Sequence, residues 1–154
     1  MSFIVLRVRG RPKRNPDQEM TLKNLRLHAP NHATIVPNEP SYTGMVRKVE
    51  HFVTYGELTS ETAMKLLEAR GRLPGNRELT DEAVAEHTEY GSIQELAEAI
   101  AEGDVDINKF APIKPVFRLN PPRGGYENNK RHFTEGGTLG YRGGNINQLI
   151  ERML

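Results

Sequence analysis

The residues of this chain that could do chemistry are mostly cations, and they come in clusters. The segment RVRGRPKRNP carries Arg7, Arg9, Arg11, Lys13 and Arg14 with no acid among them. A second cluster runs through PPRGGYENNKRHFTEGGTLGYRGG, residues 121–144, where Arg123, Lys130, Arg131, His132 and Arg142 are interspersed with Tyr126, Phe133 and Tyr141. RGRLPGNR supplies Arg70 and Arg72 in a short basic loop. Arg26, His28, His32, Arg47 and Lys48 are further candidates for the same surface. Cations in this arrangement neutralise phosphate. Arginine adds a planar fork that binds a phosphate through two donors. Glycines let a backbone approach a partner closely, and aromatics offer faces for unpaired bases. For Phe117, Tyr126, Phe133 and Tyr141, packing onto a core is an equally good reading.

Other chemistries find less support. The five histidines lack the HExxH spacing of a metalloprotease, and the chain has no cysteine to join them at a metal or to act as a nucleophile. His28 and His32 stand four apart, but Pro30 breaks the helix that would align them. There is no GxxxxGK[ST] phosphate loop. Ser92 serves better as a helix cap than as a nucleophile. GTLGYRGG could cradle a phosphate with backbone amides, which keeps an enzyme with a glycine-rich phosphate loop as the alternative reading. No apolar run nears the roughly 20 residues that span a bilayer, and MSFIVLRV is too short and wrongly flanked for a signal peptide.

The formal net charge of +1 hides a division. Residues 57–106 hold thirteen acids against four Lys or Arg, whereas the rest holds seven against seventeen. Such polarity suits a protein with one side on a polyanion and the other in water or against neighbouring proteins. A protein-binding module using its acidic helices is a third reading.

The elements that must position these residues begin with a strand over 3–8, bounded by Gly10 and Pro12. Asp17 and Glu19 behind Pro16 mark a helix start. Residues 34–36 form a short second strand. Tyr42, Met45, Val46 and Val49 recur at i, i+3, i+4, i+7, one stripe of a second helix. Phe52 to Leu58 supplies a third strand. Residues 1–58 therefore read β-α-β-α-β, an RNA-binding core that buries one sheet face against two helices. At about 58 residues such a unit is marginal alone. Residues 59–154 read as an extension. Acidic helices occupy 59–106, one capped by Thr59 or Ser60, one opened by Thr80, and one with a Ser92–Glu95 capping box and a Gly103 stop. A Gly- and Pro-rich basic arm covers 112–144. Seven glycines and two prolines in residues 121–144 predict loop there. A last helix over 145–154 has Asn145 as N-cap and Ile146, Leu149, Ile150 and Met153 as its buried stripe. This makes an α+β protein in which the arm is pinned at both ends and ordered in part by its partner.

The segments LRVRGRPKRNP, LRLHAPNHATIV, PSYTGMVRKVEHFVTYGEL, PVFRLNPPRGGY, HFTEGG and INQLIERML follow in the order and spacing of a known family. Along its whole length the chain resembles the archaeal branch of the large-subunit ribosomal protein L-thirty family, whose eukaryotic relatives are called L-seven. Archaeal relatives often read Asn-His-Cys where this chain has Asn31-His32-Ala33; a small buried Cys behaves as an apolar residue, so Ala33 should keep the role. The resemblance implies a small three-stranded antiparallel sheet with two helices, similar to a truncated ferredoxin-like unit, plus an archaeal extension. It further implies a structural constituent of the large ribosomal subunit in the cytoplasm, held by large-subunit ribosomal RNA, near 5S ribosomal RNA and other ribosomal proteins, with no catalysis, cofactor or membrane.

Overall fold

The computed structural model describes residues 2–10, 16–104, 106–107 and 113–154. Its order begins β1 (Ser2–Arg7), α1 (Pro16–Asn24), β2 (His32–Pro37), α2 (Pro40–Lys48), β3 (Val53–Glu57). This is the β-α-β-α-β order read from periodicity. The acidic region follows as α3 (Ser60–Arg70), a hairpin of β4 (Arg72–Leu73) and β5 (Arg77–Glu78), α4 (Asp81–His87) and α5 (Ile93–Glu102). Then come β6 (Val116–Arg118), β7 (Asn128–His132), β8 (Gly137–Tyr141) and α6 (Ile146–Glu151).

The sheet is larger than the expected three strands. Its order is β6-β2-β1-β3-β8-β7. β1 pairs antiparallel with β2 and β3, and β6 antiparallel with β2. β8 joins β3 in parallel, and β7 joins β8 in parallel. The extension thus supplies both edges of a mixed sheet. The expectation of loop over 121–144 is corrected by β7 and β8. Glycine disfavours a strand because it is costly to order and has no side chain to pack, but here the free edge of β3 provides the ladder.

Gly140 illustrates the fit. It sits at φ +83°, and a Cβ there would run into the His132 ring. Its carbonyl accepts from Thr54 Oγ1 at 2.9 Å. The basic loop of residues 70–77 is likewise more regular than predicted, being the β4–β5 hairpin.

Both sheet faces are covered. β1 sends Val5 to one side, where Leu22, Leu25 and Leu27 pack with Val46 and Val49 of the α2 region. It sends Ile4 and Leu6 to the other, where α3, α5, α6 and Phe117 close over them. The two-helix reading accounted for the first face only. Leaving Ile4, Leu6 and Ile35 in water would cost about 1.5–3 kcal/mol each, so the extension completes the core. Ser2 Oγ reinforces it, donating to Ile100 O at 2.6 Å.

Local signals were kept with two adjustments. Thr59, Thr80 and Ser92 cap α3, α4 and α5 through their hydroxyls, and Gly103 ends α5 at φ 85°. Glu95 reaches back as expected, but to the Gly91 amide at 2.9 Å. Asn145 makes no cap hydrogen bond. It lies in a 3-10 turn (Gly143–Asn145) that runs straight into α6, so its backbone is already helical. The polar anchor is Asn147 instead. Its Nδ2 donates to Glu57 O and Gly144 O, both at 2.9 Å, and its Oδ1 accepts from Thr59 N at 3.0 Å.

Candidate nucleic-acid interface

The antiparallel register brings three chain segments to one end of the sheet. β1 finishes there at Arg7, β2 starts there at His32, and β3 starts there at Val53. β6 ends there too, because Arg118 lies opposite His32. Arg123 is held nearby, its amide donating to Arg152 O at 3.1 Å, while Tyr126 Oη donates to Asn31 Oδ1 at 2.5 Å. Burial pushes the Tyr126 hydroxyl up to about 12, so it stays a donor. Sequence reasoning scattered these residues over four segments; the fold gathers them.

Not every candidate presents its charge. Arg7 is 4% exposed, and its guanidinium donates from Nη1 to Leu27 O at 2.7 Å and from Nε to Arg9 O at 3.0 Å. It ties the end of β1 to the loop after α1. Arg142 is also turned inward: Nε donates to Thr54 Oγ1 at 2.8 Å, Nη2 to Thr138 O at 2.7 Å, and the guanidinium lies 4.8 Å from the Phe133 ring centroid. His132 is half-buried, with Nδ1 accepting from the Thr134 amide at 3.2 Å. These three position the rim.

Arg26, His28, Lys48, Arg123, Lys130 and Arg131 are exposed, and so is Arg47, which lies away from this end in a cleft with Phe3, Val36, Glu57 and Tyr141. Arg9 is half-buried over the Phe52 ring, 5.6 Å from its centroid. Arg26 holds a left-handed backbone at φ 62°, just after α1, where Leu27 N closes onto Leu22 O at 2.9 Å. Lys130 and Arg131 lie on the outer strand β7. Arg11, Lys13 and Arg14 fall outside the described residues.

His32 reports the field at this end. Burial holds its imidazole below the usual range, and the cations Arg118, His28 and Arg7 push it the same way. The ring is therefore neutral at neutral pH. Arg118 was missed by sequence reasoning, although alternation announced it: Phe117 and Leu119 are buried on either side of an exposed Arg118. Lys114 was also missed, and it joins Arg70, Arg72 and Arg118 around one cleft. Glu19 shares a cleft with Arg7, Lys23 and His28, whereas the acids of the extension lie in another layer. Glu82, Glu86, Glu89, Glu95 and Glu98 are exposed on and around α4 and α5, the layer that covers the second sheet face.

The fold is α+β, a mixed sheet with a cationic end and an acidic helical layer, a charge distribution suited to a polyanion. The pattern described as Ribosomal protein L30p/L7e matches residues 3–53. Relatives align far beyond that span. Large ribosomal subunit protein uL30 of Methanoculleus marisnigri is 49% identical over 98% of this chain and 99% of its own length. The protein of the same name from Staphylothermus marinus is 49% identical over 99% and 98%, and that of Archaeoglobus fulgidus 47% over 98% and 99%. This chain belongs to the ribosomal protein L30p/L7e family. It is a family of structural ribosomal proteins, so the reading as a phosphate-loop enzyme is set aside.

Proposed function

We propose that this chain is a structural constituent of the large ribosomal subunit, in the cytoplasm, and that the cationic end of its sheet binds ribosomal RNA. The observation that carries the proposal is the gathering of Arg9, His28, Arg118 and Arg123 at one end of the sheet. The relatives aligned over nearly the whole chain carry a large-subunit name. Arg9, Arg26, His28, Arg47, Lys48, Arg123, Lys130 and Arg131 contact phosphate, together with Arg11, Lys13 and Arg14. Arg7, His32, His132 and Arg142 shape that surface from within. A place beside 5S ribosomal RNA, with ribosomal proteins on the acidic side, belongs to the same proposal. So does a division of labour in which residues 1–58 form the RNA-binding core and residues 59–154 close its second face and contribute the arm.

Sedimentation of a lysate tests this. The chain should travel with the large subunit and leave it when salt is raised or ribonuclease added. A chain found in the free fraction, or bound to protein after nuclease treatment, would contradict the proposal.

A further inference from the structure

Arg70 at the end of α3, Arg72 on β4, Lys114 ahead of β6 and Arg118 on β6 surround one cleft of ≈ 210 Å³ with Asn76 and Val116. No carboxylate lines it among the described residues. The volume is below the roughly 300–1,000 Å³ of small-molecule sites. A single phosphate group suits it better than a whole nucleotide.

The cleft is built rather than incidental. Lys114 N donates to Arg72 O at 3.0 Å, which joins the hairpin to the strand beyond it. Arg72 Nη1 donates to Gly71 O at 2.9 Å, fixing its guanidinium. Arg70 Nε is buried and finds no acceptor among the described residues. A buried donor without a partner is rare enough to need an explanation. The carbonyl end of α3 favours cations and accounts for Arg70 and Arg72. It does not account for Lys114 and Arg118, which come from a segment more than forty residues later in the chain.

We infer that this cleft is a phosphate-binding site that takes one phosphodiester of folded RNA. It rests on the reading of the chain as a ribosomal-RNA-binding protein and extends that surface past Arg118 onto the extension. One rigid wall of hairpin and strand would fix the register of the backbone it grips. The arm edge, with Lys130 and Arg131 on β7, lies across the sheet from it and acts separately.

The test compares binding of full-length protein to purified large-subunit ribosomal RNA across a salt series. Arg72→Gln, Lys114→Gln and Arg118→Gln are combined; Arg70 is left intact because its donor is buried. Loss of one phosphate contact should make the log–log salt slope shallower by roughly 1 unit and weaken binding about tenfold near physiological salt. An Arg72→Lys, Arg118→Lys variant should keep most of the slope. Unchanged melting temperatures show that both variants fold. An unchanged slope in the Gln variant, with wild type still salt-dependent, overturns the cleft and leaves the general RNA reading standing. Absence of salt-dependent binding in wild type overturns both. Wild-type binding of a mononucleotide at micromolar concentration, with the RNA slope untouched by the Gln variant, overturns the RNA assignment in favour of a free nucleotide phosphate.

Discussion

At the scale of single residues, burial separates cations that build the fold from cations left facing solvent. Arg7 is a builder. Arg7→Met should fill its space but strand the Leu27 carbonyl, which loses its 2.7 Å donor. An unsatisfied buried acceptor costs about 1–3 kcal/mol. Denaturant unfolding should show that loss, while the salt slope of RNA binding stays unchanged; a shallower slope with stability intact would make Arg7 a phosphate contact. His32 gives a pH signature. Its folded pKa lies below the unfolded value of about 6.5. Below that value the unfolded chain binds more protons than the folded one, so stability is full at neutral pH and falls as pH drops. Melting temperature should decline from about pH 6.5 downward, and His32→Gln should flatten that decline. Equal declines in both proteins would show that another group carries it. Neither residue could be told from an outward-facing one by sequence. Arg7 ends a strand of mostly apolar residues, and only the Leu27 and Arg9 carbonyls reveal where it points.

At the scale of elements, caps and stripes were legible because they are set by residues within one or two turns of each other. Thr80, Ser92 and Gly103 needed no tertiary information. β7 and β8 were not legible, because their strand character comes from β3, more than eighty residues earlier for Gly140. Glycines that argue against a strand locally are what this pairing requires. Gly140→Ala would force a side chain at φ +83° into the His132 ring. The left-handed backbone alone costs about 1–2 kcal/mol. We expect weakened β7–β8 pairing, read as faster amide exchange at Thr138 to Tyr141, with α3 and α5 unaffected. The same measurement on wild type addresses the arm. Thr138–Tyr141 should be protected in the free protein, since Arg142 and the Phe3–Tyr55–Tyr141 aromatic group pin this stretch. The exposed Gly124 amide should gain protection only on RNA. Free exchange throughout 121–144 would mean that RNA supplies all of the order.

At the scale of the whole molecule, the charge division seen in composition becomes a division in space. The acidic helices cover the second sheet face, and the cations rim one end. Reversing Glu82, Glu86 and Glu89 to Lys should leave folding and the incorporation of the chain into large subunits nearly normal, because these side chains are exposed on or just beyond α4. Folded protein that fails to incorporate would place this layer within the binding face. The sequence conveyed the existence of two charged regions but not their arrangement, which depends on the antiparallel register that returns β2, β3 and β6 to the end where β1 finishes.

The most direct test of the central claim is a density map of the large subunit carrying this chain. Ribosomal RNA is expected within hydrogen-bonding reach of Arg9, His28, Arg118 and Arg123, with a phosphate in the cleft between Arg72 and Lys114 and α4–α5 facing solvent or protein. RNA packed against α4–α5, with the cationic end turned to solvent, would contradict it.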